Sequence, residues 1–163
     1  MSGFEIKNLA NPLYFEENVL PPHSDHKYYG SEAELASGCS SFKYSLNGLW
    51  HIHVARNLAE RPEGFEGSDY DCRHWDTIAV PAHIQMEGYG KPHYTNTTYP
   101  WDGHEAIVPG ELPQENPVAS YVKYFAVPEG WQDVRISFQG AETALAVWLN
   151  GHFVGYSEDS ITP

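Results

Sequence analysis

The sequence contains few basic residues and only two cysteines. Nine lysines and arginines stand against 22 aspartates and glutamates, so the formal charge is −13 at pH 7. Because phosphates repel a chain of this charge at long range, we expect no nucleic-acid partner. Cys39 and Cys72 are too few for a disulfide scaffold and stand in no metal-ligand spacing. We interpret them as free thiols in a reducing compartment.

Long apolar runs are absent as well. No stretch approaches the roughly 20 apolar residues that span a membrane. The opening residues, Met1–Lys7, lack the basic and apolar regions of a secretory signal. We therefore expect no membrane partner and a cytoplasmic location. A chain of 163 residues suits one domain and is too short for a barrel-sized enzyme together with any further domain.

No catalytic motif of the HExxH, GxSxG, P-loop or GxGxxG kind is found in its required context. A pair of carboxylates could act as the acid and the nucleophile of a glycosidase, but no spacing singles one out, so solvated surface acids are favoured. The acids considered are Glu105, Glu111, Glu115, Glu142, Glu158 and Asp159. His51 and His53 share a strand face and could hold a metal, but a third ligand is not visible and a solvent-facing stripe is favoured.

The residues that are present predict an all-β fold. Residues 1–43 are rich in breakers and charge, and we expect an extended, irregular arm with at most a helical turn at Ser31–Leu35, docked through its aromatic rings. Residues 44–163 form the predicted domain. The predicted strands are Tyr44–Val54, Trp75–Val80, Val118–Val127, Val134–Phe138, Ala144–Leu149 and His152–Tyr156. Asn150-Gly151 is typical of a type I′ hairpin, and the pattern favours an antiparallel sandwich.

The stretch between residues 81 and 118 is dense in glycine, proline, tyrosine and asparagine. Such a long loop inside a compact domain is typical of a functional segment. Its run Tyr94–Gly103 combines aromatic rings with hydroxyls, one carboxamide and one carboxylate. That mixture suits a sugar, whose hydroxyls need hydrogen-bond partners and whose faces need apolar cover. The alternative is a loop whose polar groups satisfy only its own turns.

Several motifs, in order over about residues 8–163, resemble the amino-terminal sugar-binding domain of the β-galactosidases of glycoside hydrolase family 2. They are Ser45–Trp50, Val80–Gly90, Pro92–Asn96 with Tyr99-Pro100, Glu115-Asn116-Pro117, Ser120-Tyr121, and Trp148–Ser157 with Asp159-Ser160. The resemblance implies a jelly-roll sandwich of the galactose-binding kind. It implies an enzyme that hydrolyses terminal, non-reducing β-D-galactose residues of lactose-type substrates in carbohydrate metabolism.

The same resemblance assigns roles to particular residues. Asn96 matches the asparagine that reaches into the galactose site, and Trp101 and Asp102 would shape the rim of that site. Some members bind magnesium beside the arm, and Asn11 and Glu158 stand near the matching positions, although Asn8 replaces a carboxylate there. Magnesium and sodium ions are used within the family, but no cofactor is expected in this chain itself.

The catalytic glutamates of a retaining mechanism lie in a later barrel in this family, so this chain alone is expected to be inactive. It is expected to end inside the jelly roll, to contact downstream domains, and to belong to a homo-oligomer. Alternatives are a family 2 enzyme for another sugar, such as a β-glucuronidase or β-mannosidase, and a free-standing carbohydrate-binding module.

Overall fold

The computed structural model describes residues 4–24, 26–92, 95–99, 101–108 and 110–163. Its strands are β1 Glu16–Glu17, β2 Gly48–Ala55, β3 Asp76–Val80, β4 Val118–Val122, β5 Leu145–Leu149 and β6 His152–Ser157. They form two three-stranded antiparallel sheets, with strand orders β1-β6-β5 and β3-β2-β4. One α-helix, α1, spans Glu32–Ser37, and short 3-10 helices span Ile6–Ala10, Leu58–Glu60 and Ile84–Glu87. The prediction of an all-β fold with antiparallel sheets is confirmed.

Strand β2 is the centre of its sheet. It pairs with β3 through its first half and with β4 through its second, and Ile52 has a partner on both sides. The side chain of Ile52 is only 1% exposed, and Ile78 on β3 is 2% exposed. Ile52 is therefore both paired on two sides and buried, as is expected for the central strand of a sheet.

The hairpin between β5 and β6 turns at Asn150-Gly151, as the sequence predicts. Both residues have a positive φ, 52° for Asn150 and 79° for Gly151. This is the backbone of a type I′ turn, whose twist matches that of the flanking strands. The ladder also contains an irregularity at Val147/Trp148.

Three strand predictions need correction. Strand β2 begins at Gly48 and not at Tyr44, because its ladder with β3 starts there. Val134–Phe138 forms no strand, because an alternating pattern makes a strand only where a neighbour completes its ladder, and none of the described segments does so. Val134 and Ile136 are accordingly 52% and 39% exposed. Strand β4 ends at Val122 and not at Val127, because its ladder with β2 ends at that residue. At the next position it is the Lys123 side chain that contacts β2, where its Nζ donates to the Leu49 carbonyl at 2.8 Å.

The arm contributes the sixth strand instead. Glu16 and Glu17 of β1 pair with Ser157 and Tyr156 of β6. Rings from the arm extend this contact: Phe4 lies 5.2 Å from Tyr156 between ring centroids. The arm therefore docks through its aromatic residues, as the sequence predicts, but it also supplies backbone to a sheet.

Helix α1 is slightly longer than the single turn expected from the sequence. The Ser31 side chain accepts a hydrogen bond from the Glu34 amide at 3.2 Å, and Gly38 ends the helix with a φ of 72°. These are the usual start and stop signals of a helix. The Glu34 carboxylate accepts from the amides of Gly30 and Ser41, which lowers the pKa of Glu34.

Aromatic rings connect the two sheets. The Phe65 ring lies 5.8 Å from Trp75, next to β3, and 6.4 Å from Trp148 on β5. The apolar core around these rings is small. Its buried members in the described residues are Ile52, Ala55, Cys72, Trp75, Ile78 and Tyr156.

Candidate functional site

The loop that follows β3 is anchored at its beginning. The 3-10 helix Ile84–Glu87 ends at Gly88, whose φ is 94°, and the Tyr89 hydroxyl then donates to the Asp76 carboxylate at 3.0 Å. Burial and the hydrogen bond to Asp76 raise the pKa of Tyr89. The loop thus leaves the sheet from a fixed point on β3.

Asn96, the residue matched to a sugar contact, is exposed together with the threonines beside it. Within the described residues its carboxamide makes no hydrogen bond to the protein, so its donor and acceptor are available to a ligand. Tyr94 and Pro100, which belong to the same sequence run, lie outside the described residues. The ring of Tyr99 is 75% exposed and offers an apolar face nearby in the chain.

Asp102 and Trp101 are engaged with their own loop. The Asp102 carboxylate accepts from the Tyr99 amide at 3.1 Å, while the Asp102 amide donates to the Tyr99 carbonyl at 3.0 Å. The half-buried Trp101 donates from its indole Nε1 to the Glu115 carbonyl at 2.9 Å. Both side chains therefore stabilise the fold of the loop itself, and the rim role that the resemblance implies stays a prediction.

Two side chains hold this loop in place: Glu105, which the sequence offered only as one of several possible acids, and Asn57, which was not predicted as functional. The Glu105 carboxylate accepts from the backbone amides of Gln114 and Glu115, at 2.6 and 3.2 Å. The Asn57 side chain, just after β2, donates to the Gln114 carbonyl at 3.1 Å. The sequence carried a signal only for Asn57, because Asn-x-x-Glu before Leu58–Glu60 is typical of a helix start.

Two of the other candidate carboxylates, those of Glu158 and Asp159, also accept hydrogen bonds from the chain itself. The Glu158 Oε1 accepts from the Tyr156 hydroxyl at 2.6 Å. The Asp159 carboxylate accepts from the side chain and amide of Thr162 and from the amide of Ile161, which lowers the pKa of Asp159. Bonds of this kind stabilise turns, and they favour a structural role for these acids.

The histidine pair does not lie on a solvent-facing stripe, so that interpretation was wrong. The His53 ring packs 5.5 Å from Trp75, and the His51 ring lies 6.4 Å from Tyr124. The Nδ1 atoms of both histidines are buried and have no hydrogen-bond partner in the described structure. Both side chains are half-buried, because Tyr124 and Trp75 cover part of this side of β2.

The residues near the family's magnesium position are Asn11, which lies in the arm, and Glu158, which directly follows β6. The Asn11 Oδ1 accepts from the Leu13 amide at 3.1 Å, and Glu158 is bonded to Tyr156 as described. An open cleft of about 420 Å³ lies beside Glu158 and is lined by Phe15, Glu16 and residues 157–160. In the part of the chain that the structure describes, no three His, Cys, Asp or Glu side chains converge as a metal site. One amide and one carboxylate alone do not fit the octahedral oxygen set of magnesium, and the site stays a prediction.

Comparison with known proteins gives consistent matches. The family described as "Glycosyl hydrolases family 2, sugar binding domain" matches residues 43–163. A β-galactosidase of Halalkalibacterium halodurans is 54% identical over 153 residues, which is 91% of this chain and 15% of that protein. A β-galactosidase of Lactobacillus delbrueckii subsp. bulgaricus is 47% identical and covers 95% of this chain and 16% of its own length.

A β-galactosidase large subunit of Leuconostoc lactis is 46% identical over 95% of this chain and 27% of that subunit. The chain thus spans a small part of the curated relatives that it matches. None of the helices among the described residues is long and apolar enough to cross a membrane.

Proposed function

The chain belongs to family 2 of the glycosyl hydrolases, through their sugar-binding domain, and we propose that it forms one wall of the galactose site of a β-galactosidase. The relatives named above are β-galactosidases, and each extends far beyond the segment that this chain matches. The hydrolysis of terminal β-D-galactosides is therefore proposed for a longer protein, with this chain as a domain that binds and orients the sugar.

The observation that carries the proposal is the exposed carboxamide of Asn96, which makes no hydrogen bond to the described residues, in a loop that Tyr89 and Glu105 anchor. An exposed amide can both donate to and accept from a sugar hydroxyl. Such a contact orients the substrate without breaking bonds, and its loss weakens binding more than turnover. Trp101 and Asp102 contribute by fixing the turn that follows.

The proposal also covers the detailed type of fold, the cellular location and the assembly of the protein. Two antiparallel sheets joined by aromatic rings agree with an incomplete jelly roll, whose remaining strands would follow in the longer protein. Cys39 and Cys72 are both free thiols, which supports a cytoplasmic location. Downstream domains and further subunits are the proposed macromolecular partners. The names of the relatives argue against a β-glucuronidase, a β-mannosidase or a free-standing binding module.

The first test is the Asn96→Ala substitution in the longer protein, assayed with a nitrophenyl β-galactoside. We expect KM to rise about tenfold, because an uncharged hydrogen bond to a ligand is worth roughly 1 kcal/mol or slightly more. Gln132→Ala removes an exposed carboxamide outside the loop and should leave KM unchanged. An unchanged KM in Asn96→Ala would remove this residue from the site.

The second test is a galactose titration of the isolated chain by calorimetry or NMR. We expect no measurable binding, because one wall of a composite pocket covers only part of the sugar. Binding by the isolated chain that is lost in Asn96→Ala would instead support the free-standing module.

A further inference from the structure

The Glu105 side chain binds the backbone of a distant part of its own loop. Its two carboxylate oxygens accept from consecutive amides, Gln114 at 2.6 Å and Glu115 at 3.2 Å. These amides lie nine and ten residues further along the chain. Hydrogen bonds to an ionised acceptor are shorter and stronger than neutral ones, and a carboxylate can accept two at once. Glu105 therefore closes the loop between residues 105 and 115.

Trp101 completes this closure. Its indole Nε1 donates to the Glu115 carbonyl at 2.9 Å, so both polar groups of the Glu115 backbone are bound. The Trp101 carbonyl in turn accepts from the Glu105 amide at 3.0 Å. Trp101, Glu105 and Glu115 are thus joined pairwise in a closed ring of hydrogen bonds. The position of the Trp101 side chain depends on the Glu105 carboxylate through Glu115.

Asn57 connects this ring to the sheet. It lies two residues after the end of β2 and is 9% exposed. Its Nδ2 donates to the Gln114 carbonyl at 3.1 Å, and its Oδ1 accepts from the amides of Ala59 and Glu60 at 3.0 and 3.2 Å. One side chain thereby caps a helix and tethers the loop.

Packing contributes little to the position of this segment. The loop surrounds an open depression of about 190 Å³ between residues 105 and 114, and Ile107 and Val108 are exposed. None of the described residues between 105 and 114 is buried, so this segment is held mainly by its hydrogen bonds.

We propose that Glu105 and Asn57 are positioning residues for the sugar site, because they fix the turn of Trp101 and Asp102 relative to the central strand β2. This rests on the proposed function, in which that turn borders the galactose pocket. When the residues that border a binding site move by about an ångström, affinity for the ligand falls even if every residue that contacts the ligand is kept. Neither residue is required to touch the sugar.

The two hydrogen bonds from the Gln114 and Glu115 amides to the Glu105 carboxylate form what we call the Glu105 clamp. This clamp is tested on the chain by amide hydrogen exchange, independently of any enzymatic activity. Glu105→Gln leaves one acceptor oxygen and places an amino group against the second backbone amide. We expect at least one of the Gln114 and Glu115 amides to exchange about tenfold faster. Glu111→Gln is the matched control, since Glu111 is exposed and makes no side-chain hydrogen bond among the described residues. Unchanged exchange in Glu105→Gln would overturn the clamp.

Positioning is tested by the kinetics of the longer protein with a nitrophenyl β-galactoside. Asn57→Asp keeps the cap of residues 58–60 but replaces the donor to Gln114 with an acceptor, so it separates the tether from the cap. We expect Glu105→Gln and Asn57→Asp to raise KM about five- to tenfold with kcat within about twofold, as for lost substrate binding. Glu111→Gln should match the wild type.

The two experiments fail in different ways. Faster exchange with a normal KM, or a lowered melting temperature with a normal KM, would show a merely structural clamp and would overturn the positioning role. A wild-type longer protein without β-galactosidase activity would refute the proposed function, and the positioning role that rests on it, while the exchange experiment still decides the clamp.

Discussion

Tyr156 shows how much depends on one buried side chain. It is 2% exposed, stacks on Tyr14 of the arm at 5.3 Å between ring centroids, and donates from its hydroxyl to Glu158 at 2.6 Å. Burial, and then the hydrogen bond to the Glu158 carboxylate, raise the pKa of Tyr156 above its ordinary value of 10.0. A raised pKa in the folded state means that the fold favours the protonated phenol.

This side chain makes the stability depend on alkaline pH. Its contribution is fully present below pH 10 and is lost as the pH rises towards the folded-state pKa, because the unfolded chain releases its proton first. Tyr156→Phe should cost about 1 kcal/mol at pH 7 for the lost hydrogen bond and should reduce the fall in stability above pH 10. Urea unfolding across this range measures both effects. Tyr44→Phe, at an exposed ring, is the control, and equal falls for Tyr156→Phe and wild type would contradict the assignment.

At the scale of elements, the short strand β1 depends on a glycine in its neighbour β6. A Cβ placed on Gly155 would lie 3.0 Å from the Glu17 carbonyl oxygen and 3.6 Å from that of Asn18. Both are backbone atoms, so the contact is relieved only by moving the arm. The absence of a side chain at Gly155 is therefore what lets the arm pair with the sheet.

Gly155→Ala is expected to release β1 while the hairpin of β5 and β6 persists. The Glu158 amide, which donates to the Phe15 carbonyl at 2.9 Å, is the reporter, and its hydrogen exchange should accelerate about tenfold or more. Gly151→Ala is the comparison: its φ of 79° makes alanine cost about 1 kcal/mol, but its nearest atoms belong to residues 66–68 and not to the arm. Equal exchange in Gly155→Ala and wild type would show that the arm tolerates the methyl group.

At the scale of the whole molecule, the chain exposes far more surface than its mass requires. Its accessible surface is 12,642 Å² for 18.4 kDa. A compact monomer of this mass exposes roughly 8,200 Å² by the usual scaling. Leu49, Val134 and Ile136 are among the large apolar side chains left open. We therefore expect this fold to gain stability when another protein surface covers these apolar side chains.

We expect the isolated chain to bind a hydrophobic dye such as ANS and to associate as salt is added. Its charge of −13 keeps copies apart at low ionic strength, and screening removes that repulsion while the apolar surface remains. Light scattering after gel filtration at low and high NaCl measures the mass. A dye-free monomer at both salt concentrations would contradict this expectation.

The sequence by itself determined what depends on local pattern. Alternation placed five of the strands near their observed positions, and Asn150-Gly151 specified its turn because positive φ is a property of those residues. The composition of the loop after β3, dense in glycine, proline, tyrosine and asparagine, predicted a functional segment there. The motifs, read together, indicated the family that the comparison then showed.

Tertiary structure decided everything that needs a partner distant in the chain. Val134–Phe138 has the pattern of a strand and no ladder, whereas Glu16–Glu17 has little pattern and a ladder on β6. The Glu105 clamp was equally hidden, since its partners are backbone amides, which every residue except proline carries. Strand pairing and bonds to distant backbone amides depend on which segments come close in space, whereas alternation along the chain reports only which side of a strand is apolar.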